Sequence, residues 1–316
     1  MSGSVAGSVA GSVAGQLADV VARALAEDAP WGDLTSESLL DASATTTAVL
    51  RARTEGVLAG IGAFPEALAQ AARLVGAGEP VVELLAADGD RLVPGQVLGR
   101  AGGSALAVLR AERIALNLVQ HLSGVATATA EHVALVAAAG ATARVADTRK
   151  TTPGLRALER HAVRCGGGSN HRWSLSDAVL VKDNHLALVG GGVTEALAAV
   201  RARVPHTTFV EVEVDRLDQL AAVLAAGVDG VLLDNFTLDD LRAGVAAVRS
   251  HVAAHGGRVL VEASGGVRRD TIGAIAATGV DVVSVGGLTQ AAPALDVGLD
   301  VGADAEVAPT RTRTGW

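Results

Sequence analysis

The sequence predicts an α/β protein built from an N-terminal α+β sandwich domain and a C-terminal α/β barrel. From about residue 143 onwards, short apolar strands alternate with helical stretches, which is typical of a parallel sheet covered by helices. Before that point, short strands, Gly- and Pro-rich turns and longer helical stretches follow no such order. With 316 residues, 49% of them apolar, the chain is long enough to bury a large core.

The N-terminus starts with SGSVAGSVAGSVAG over residues 2–15, a low-complexity repeat. We predict that residues 1–15 form a flexible tail. Residues 16–29 have the apolar spacing of a helix. The stretch PWGDLTSESLL that follows is predicted to be a loop with a possible helix cap at Thr35 or Ser36.

The remainder of the N-terminal domain mixes strands and helices. Residues 46–58 and 81–85 are predicted strands, and a helix around 63–76 lies between them. Glycine and proline divide residues 88–103 into β-structure and turns. Residues 105–138 are predicted to form one or two helices.

The C-terminal domain is predicted to hold six strand-then-helix units, and such a row favours a barrel over an open sheet. The predicted strands are 143–148, 178–183, 209–214, 230–235, 258–264 and 282–287. The predicted helices are 155–165, 193–203, 216–226, 238–254 and 268–278. We place the N-terminal domain at 16–124, joined by 288–316, and the barrel at 125–287.

Composition excludes several classes of function. A net charge of −8 argues against a nucleic-acid partner or an anionic membrane. The single cysteine, Cys165, excludes an intrachain disulfide and fits a reducing compartment. No apolar run reaches the roughly 18 residues that span a bilayer, and no secretory signal is apparent. We therefore expect a cytoplasmic protein without a membrane partner.

Arginine supplies almost all of the positively charged side chains. The chain has 24 arginines and two lysines, Lys150 and Lys182. The guanidinium group of arginine binds carboxylates and phosphates through two parallel hydrogen bonds. Several cations that converge on one site therefore indicate a polyanionic ligand. A lysine ammonium is a compact charge that fits where a planar guanidinium does not. The cations predicted to converge are Arg113, Arg149, Lys150, His171, Arg172 and Lys182.

Nearly every predicted strand of the C-terminal domain ends in polar residues, at the end where α/β barrels carry their chemistry. Glu213 and Asp234 follow neighbouring strands and offer the oxygen ligands that Mg²⁺ prefers. These carboxylates could equally stabilise a cationic transition state. The SGG and VGG segments offer bare backbone N–H groups for a phosphate.

Other interpretations stay open on the residues alone. A carboxylate at a strand end is often a helix cap or a surface residue, and a single arginine is often a solvated charge. Lys182 could form a Schiff base, because barrel aldolases place a lysine on a strand. The number of cations and carboxylates at one rim favours an anion-binding catalytic site.

The stretch ADTRKTTPGLRALERHAVRCGGGSNHRWSLSDAVLVKDNHL, residues 146–186, resembles the signature of the quinolinate phosphoribosyltransferase family. The stretches EDAPWGDLTS, ERIALNLVQHLSGVAT, VEVEVD, GVLLDNF, EASGGV and SVGGLT occur in that family's order. The resemblance covers roughly residues 17–300 and implies a type II phosphoribosyltransferase fold. Where the family often has SVGALTHS, this chain has SVGGLTQA, so Gly287 and Gln290 differ.

The resemblance implies a carboxylating phosphoribosyl transfer, a pentosyltransferase reaction of NAD biosynthesis. Quinolinate attacks C1 of phosphoribosyl pyrophosphate through its ring nitrogen, pyrophosphate leaves, and the 2-carboxyl is lost as CO₂. Nicotinate mononucleotide is the product. The resemblance further implies Mg²⁺ as the cofactor and a head-to-tail homodimer, with a hexamer as a further assembly state.

Site residues are implied in the same way. The implied catalytic residues are Lys150, Lys182, Glu213 and Asp234, the two carboxylates facing the ribose and Mg²⁺. The quinolinate carboxylates would contact Arg149, His171, Arg172 and, from a second subunit, Arg113. The 5′-phosphate would contact Ser264, Gly265, Gly266, Gly286 and Gly287, with Thr148 and Val285 as further binding residues.

Two alternatives are a same-fold paralogue that acts on another anionic base and a non-catalytic, nucleotide-binding relative. The intact DTRKT and NHR blocks argue against the paralogue. A sensor would not need both lysines and both strand-end carboxylates.

Overall fold

A computed structural model describes residues 3–189 and 192–302. Its helices are α1 (Gly3–Asp28), α2 (Leu34–Leu39), α3 (Ala63–Leu74), α4 (Ala105–Ala138), α5 (Arg156–Cys165), α6 (Asp183–Val189), α7 (Val193–Arg201), α8 (Leu217–Ala225), α9 (Leu238–His255), α10 (Ile272–Ala276) and α11 (Gly287–Gln290). Its strands are β1 (Thr45–Ala52), β2 (Gly56–Val57), β3 (Val81–Leu84), β4 (Arg91–Leu92), β5 (Val97–Ser104), β6 (Arg144–Ala146), β7 (Val179–Val181), β8 (Val210–Val214), β9 (Gly230–Asp234), β10 (Leu260–Ser264), β11 (Val282–Ser284) and β12 (Val297–Val301).

The chain divides into two compact units. The described residues of the first unit are 3–130, 151–167 and 291–302, and those of the second are 131–150, 168–189 and 192–290. The boundaries differ from the predicted domains in three places. Residues 125–130 and the segment 151–167, which contains α5, belong to the first unit although 125–287 was predicted to be one barrel, and residues 288–290 belong to the second unit. Two hydrogen bonds connect α5 to the first unit: Glu159 bonds to His121, and His161 bonds to Asp88.

An antiparallel sheet of four strands, in the order β12-β1-β5-β3, forms the first unit's framework. The C-terminal strand β12 pairs along β1, with Leu50 opposite Leu299. Helix α3 places Phe64, Leu68 and Ala71 at a spacing of three to four residues, and all three are buried. The core of this unit therefore includes one face of α3 and the consecutive β1 residues Ala48, Val49 and Leu50.

Two glycines let backbones approach closely within the first unit. A Cβ atom on Gly166, just after α5, would lie 2.3 Å from the carbonyl oxygen of Ala126 on α4. A Cβ atom on Gly124 would lie 2.1 Å from the carbonyl oxygen of Pro293. Any side chain at either position would force the backbones apart, so these contacts require glycine.

The second unit contains a parallel sheet of six strands in the order β6-β11-β10-β9-β8-β7. Its ladder brings Glu213, Leu232 and Glu262 side by side on three neighbouring strands. Two residues further along these strands, Asp234 and Ser264 lie side by side. Because all six strands run in parallel, their carboxyl ends meet at one edge of the sheet.

The predicted fold class is confirmed: a unit with a parallel sheet follows a separate unit with its own sheet. All six predicted strands of the C-terminal domain occur within the predicted ranges. Residues 105–138 form a single helix, α4. Among the described residues, no helix is both long and apolar enough to cross a membrane.

The predicted flexible tail is corrected for residues 3–15, which form the first turns of α1. The repeat unit is four residues long, GSVA, and a four-residue spacing is close to the helical period of 3.6. Val13 and Leu17, four residues apart, are both buried. The signal was present in the repeat but was masked by its low complexity. Residues 1–2 lie outside the described residues.

Two short helices replace predicted loop or strand. Helix α2 is capped by Asp33, whose side chain accepts from the N–H groups of Thr35 and Ser36, so neither of the predicted caps is correct. Helix α6 starts at Asp183, where a strand end was predicted, and none of its residues is buried. With no buried face, α6 lacks the apolar periodicity from which a helix is predicted.

Candidate active site

A cavity of about 400 Å³ opens at the carboxyl ends of the parallel strands of the second unit. Its walls combine charged groups of both signs with two leucines. The residues that line it are Thr148, Arg149, Lys150, His171, Arg172, Leu180, Lys182, Glu213, Leu232, Asp234, Glu262, Ser264 and Ser284. The structure thus brings together nine of the residues that the sequence predicted for the site.

The strand period explains how these side chains converge. Side chains two residues apart on a strand point to the same face. Leu180 and Lys182 follow this spacing, and so do Leu232 and Asp234, and Glu262 and Ser264. β7, β9 and β10 therefore each contribute one deeper residue and one at or just after the strand end, while β8 and β11 contribute Glu213 and Ser284 alone.

The cationic side of the cavity comes from the segments after β6 and before β7. Arg149 has a buried Nε with no hydrogen-bond partner in the part of the chain that the structure describes. Burial and the neighbouring Arg149 charge lower the pKa of Arg172. A buried donor without an acceptor, beside a second guanidinium, is what a site for an anionic ligand requires.

His171 faces two buried carboxylates. Its Nε2 lies 3.4 Å from Glu211 Oε2 and 3.4 Å from Glu262 Oε1. Burial works to lower the pKa of His171, but the hydrogen bonds to Glu211 and Glu262 raise it to about 10. The Arg172 N–H donates to His171 Nδ1 at 2.8 Å and opposes protonation there. Two carboxylates outweigh one amide, so the net direction is towards a cationic ring.

The carboxylate pair is itself perturbed. Burial raises the pKa of Glu211, the Glu262 charge raises it further, and His171 lowers it. Glu211 Oε1 is buried and has no hydrogen-bond partner among residues 3–189 and 192–302. A protonated His171 therefore reduces the repulsion between the two buried carboxylates, and the carboxylates in turn stabilise the protonated ring.

Asp147 holds the segment that carries His171. It is fully buried, and its carboxylate accepts from Asn170 Nδ2 at 2.5 Å and from the His171 N–H at 2.9 Å. The Arg172 guanidinium donates to the Ala178 carbonyl at 3.1 Å. These bonds fix the backbone segment that carries His171 and Arg172.

Lys182 and Glu213 form an ion pair inside the cavity, with Nζ donating to Oε2. Lys150 is placed through its backbone, because Thr289 Oγ1 donates to its carbonyl at 2.7 Å. Gly286 lies close to Lys150, since a Cβ atom there would be 3.1 Å from the lysine Cδ. The two rare lysines therefore stand at one cavity, as the sequence predicted.

The Ser264-Gly265-Gly266 segment leaves β10 with an unusual backbone. Gly265 and Gly266 have φ angles of +90° and +60°, which only glycine adopts readily. A Cβ atom on Gly265 would also lie 2.2 Å from Asn235 Oδ1. Asn235 itself has a φ of 58° at the end of β9. Such backbone strain clusters at functional sites.

Six predicted site residues do not line the cavity. Gly286 borders it through Lys150, and Val285 is buried with its N–H donating to the Ala146 carbonyl at 2.9 Å. Gly287 begins α11. Arg113 is exposed on α4 in the first unit. The remaining two are Gly265 and Gly266.

Sequence reasoning missed Glu211 and Glu262 as site residues. The available signal was the alternation in VEVEV and VEAS, which places each glutamate two residues before a predicted site residue, on the same face of its strand. A charge in the middle of an apolar strand is rarely buried without a partner, so both glutamates indicated a cation inside the sheet.

Two groups in the second unit offer metal ligands. Glu213 and Asp234 both line the cavity, and their carboxylates are the hard oxygen donors that fit Mg²⁺. His171, Glu211 and Glu262 also offer one ligand atom each within 4.8 Å of one another. Because His171 Nε2 faces both of these glutamates, Glu213 and Asp234 remain as the pair that offers oxygen ligands alone, which Mg²⁺ prefers.

The fold and cavity define the class of protein: an α/β protein with a parallel sheet whose strand ends carry a cavity lined by cations and carboxylates. Family models agree over most of the chain. Residues 33–123 match the quinolinate phosphoribosyl transferase N-terminal domain, and residues 125–300 match the C-terminal domain. The chain belongs to the quinolinate phosphoribosyl transferase family, which confirms the resemblance in its motifs.

Individual relatives support the same assignment. The chain is 44% identical to the nicotinate-nucleotide pyrophosphorylase (carboxylating) of Mycobacterium leprae, over 89% of this chain and 95% of that one. It is 39% identical to the Homo sapiens protein of the same name, over 90% and 91% of the two chains. The crystal structure of NadC from Streptococcus pyogenes superposes with a TM-score of 0.81 at 38% identity, covering 90% of this chain and 96% of that one.

Proposed function

We propose that this chain transfers the phosphoribosyl group of phosphoribosyl pyrophosphate to quinolinate, with release of pyrophosphate and CO₂. The product is nicotinate mononucleotide, a precursor of NAD. The observation that carries the proposal is the cavity at the strand ends, where five cations face Glu213 and Asp234. A dicarboxylate and a polyphosphorylated sugar together need such a set of opposite charges.

The cations nearest the sheet interior bind the two quinolinate carboxylates. Arg149 has a buried Nε donor without a hydrogen-bond partner among the described residues, and His171 lines the same cavity. Arg172 stands beside both. The His171 backbone is held by Asp147 and the Arg172 guanidinium by the Ala178 carbonyl, so these two cations are positioned before the base binds.

The transfer step breaks the bond between C1 of the sugar and the pyrophosphate oxygen. The ring nitrogen of quinolinate supplies the electron pair for the new C1–N bond, and pyrophosphate leaves with the old pair. Displacement at a sugar C1 develops positive charge on the ring, as in glycoside hydrolysis. Glu213 and Asp234 stabilise that charge, while Lys150 and Lys182 stabilise the departing pyrophosphate.

Decarboxylation follows on the positively charged pyridinium nucleotide. The bond from C2 to its carboxyl carbon breaks, CO₂ departs, and the electron pair stays on C2 until it takes up a proton. The adjacent ring nitrogen, now cationic, lowers the energy of that carbanion.

Mg²⁺ is the cofactor that the donor set fits. When bound, it would neutralise pyrophosphate charge, with Glu213 and Asp234 as its protein ligands, largely through substrate and water. The 5′-phosphate of the sugar would occupy the Ser264–Gly266 segment together with Gly286 and Gly287, where backbone N–H groups supply the hydrogen bonds. Val285 would border this site, since its own N–H donates to the Ala146 carbonyl. Thr148 completes this set of binding residues.

The proposed assembly is a homodimer, with Arg113 of one subunit completing the site of the other, and higher assembly to a hexamer is compatible with it. Arg113 is exposed and shares its helical face with exposed Asn117, four residues on. An exposed arginine within a predicted site motif is available to a partner subunit. We further propose a cytoplasmic location, with no nucleic-acid or membrane partner.

The test is an assay of the purified chain with quinolinate, phosphoribosyl pyrophosphate and Mg²⁺, followed by mass spectrometry. A parallel tube replaces quinolinate with nicotinate, and a third omits Mg²⁺. We expect nicotinate mononucleotide from quinolinate alone, and only when Mg²⁺ is present. Product from nicotinate would mean that the cations bind one carboxylate, not two. Absence of product from folded protein in every tube would refute the proposed reaction.

A further inference from the structure

Three metal-ligating side chains of different kinds meet in the first unit. His161 and Cys165 lie four residues apart on α5 and so share one face of the helix. Asp88 reaches them from the turn between β3 and β4. His161 Nε2 lies 2.8 Å from Asp88 Oδ2 and 3.4 Å from Cys165 Sγ. All three potential ligand atoms lie within 4.8 Å of one another.

The spacing of these atoms suits a tetrahedral cation. With zinc bonds of about 2.3 Å to sulfur and about 2.0 Å to nitrogen, the two ligands of a tetrahedral site stand about 3.5 Å apart. The observed distance between Sγ and Nε2 is 3.4 Å. The Asp88 oxygen, at 2.8 Å from Nε2, would withdraw by about 0.5 Å to reach the same geometry. The fourth position would be left to water.

The surroundings hold the ligands in place. The Ile61 N–H donates to Asp88 Oδ1 at 3.0 Å, which leaves Oδ2 directed at His161. The side chains of Asp88 and His161 are only 9% and 16% exposed. Metal-binding carboxylates are commonly oriented by such a second hydrogen bond.

Ordinary thiol chemistry does not explain the cluster. Burial raises the pKa of Cys165 to about 12, and the Asp88 charge contributes in the same direction, while Arg164 lowers it. A thiol with this pKa is almost wholly protonated at neutral pH and is a poor nucleophile. A thiophilic divalent cation is the partner that would displace the proton and use the sulfur.

We propose that Asp88, His161 and Cys165 form a binding site for a thiophilic divalent cation of the zinc class. The ion takes the position of the His161 Nε2 proton, with the imidazole proton on Nδ1, and replaces the thiol proton of Cys165. Mg²⁺ does not compete, because it avoids thiolate ligands. The proposal is independent of the phosphoribosyl transfer.

Cobalt is the probe of choice, because the chain has a single cysteine. A thiolate-to-cobalt charge-transfer band in the near ultraviolet can therefore arise only from Cys165. The full-length protein is titrated with Co²⁺ in excess Mg²⁺, which occupies sites made only of oxygen ligands. We expect the band to saturate at about one equivalent of Co²⁺ and to disappear when Zn²⁺ is added.

Variants locate the ion. Cys165→Ser is expected to abolish the band and to weaken Zn²⁺ binding by about 100-fold or more, because even outer-shell changes cost 10- to 100-fold. Asp88→Asn is expected to weaken the band without abolishing it. Asp234→Asn is the matched control, since it removes a carboxylate of the second unit and should leave the band intact.

A measurement on the unaltered chain guards against variants that fail to fold. Zn²⁺ at ten times its dissociation constant should slow the reaction of Cys165 with a thiol reagent about tenfold. Folded protein with no charge-transfer band, or Zn²⁺ with no effect on thiol reactivity, would overturn the proposal. Equal Zn²⁺ affinity in wild type and Cys165→Ser would do the same.

Discussion

Lys150 shows how a single residue can be tested for shape apart from charge. Its N–H donates to Thr148 Oγ1 at 3.1 Å and its carbonyl accepts from Thr289 Oγ1 at 2.7 Å. These bonds hold the backbone whatever the side chain is. The side chain runs past Gly286, where the clearance is small. An arginine at this position would therefore keep the positive charge, but its planar guanidinium would not fit where the compact lysine ammonium lies.

Lys150→Arg is expected to leave the fold intact and to lower kcat by about 100-fold, because a displacement of about 1 Å in a reacting group has that effect. The measurements are kcat and KM for quinolinate and phosphoribosyl pyrophosphate, with Tm as the check on folding. Arg242→Lys, at an exposed position on α9, is the matched control and should change neither kcat nor KM. Full activity in Lys150→Arg would mean that charge alone is needed at this position.

His171 is the residue whose charge state depends most on its neighbours. Its pKa of about 10 exceeds the unperturbed 6.5, so the folded state holds the proton more tightly than the unfolded chain does. The stability gained is fully present below about pH 6.5 and is lost as the pH rises through about 10. A cationic ring is therefore expected across the physiological range.

Glu211→Gln is expected to lower the pKa of His171, because one of its two carboxylates is replaced by a neutral amide. The measurement is an NMR titration of ¹⁵N-labelled histidine, with the His171 signal assigned by its absence in His171→Asn. In the wild type, the ring should stay protonated through pH 8. Glu37→Gln, an exposed change in the first unit, should leave the titration unaltered. A His171 signal that titrates near 6.5 in both proteins would contradict the ion-pair interpretation.

At the scale of elements, α5 depends on a buried carboxylate. Glu159 is fully buried, and it accepts from His121 Nε2 at 2.8 Å and from the Thr152 N–H at 3.0 Å. It thus ties the helix to α4 and to the segment that precedes it. Removing the carboxylate would leave two donors without their acceptor.

Glu159→Ala is expected to lower the free energy of unfolding of the first unit by about 2–4 kcal/mol, from lost hydrogen bonds and the space left behind. Urea denaturation at a fixed protein concentration measures it. Glu159→Gln should cost less, since its amide oxygen still accepts from Thr152. If both variants lose the same amount, the charge on Glu159 and not its hydrogen bonds supports the helix.

For the whole molecule, the proposed dimer predicts complementation between two inactive variants. Arg113→Ala and Lys182→Ala should each be inactive alone, because each removes a cation from every site. After subunit exchange at equal concentrations, half of the dimers are mixed and each has one intact site, so about a quarter of wild-type activity should return. The assay is product formation before and after exchange.

The control mixes Lys182→Ala with Glu213→Gln. Both lesions lie in the same cavity of one chain, so a mixed dimer has no intact site and activity should stay absent. Pull-down of differently tagged subunits shows whether mixed dimers have formed. Mixed dimers of Arg113→Ala and Lys182→Ala without activity would exclude a site shared between subunits.

Much of the architecture could be predicted from sequence because it depends on local patterns. The six parallel strands are short apolar runs, and α7, α8 and α9 alternate with them. The strand-end residues, including both lysines, follow from the rule that parallel strands expose one common edge. By contrast, α6 and the start of α1 escaped prediction, since one has no buried face and the other is built from a simple repeat.

The sequence by itself determined the fold class, the order of the elements, the family and most of the cations and carboxylates of the site. These are properties of residue type and spacing along the chain. Only the tertiary structure decided that Glu211 and Glu262 converge on His171, that α5 belongs with the first unit, and that Asp88 meets His161 and Cys165. Such contacts join residues far apart in sequence, and their electrostatic consequences arise only when burial removes water from between them.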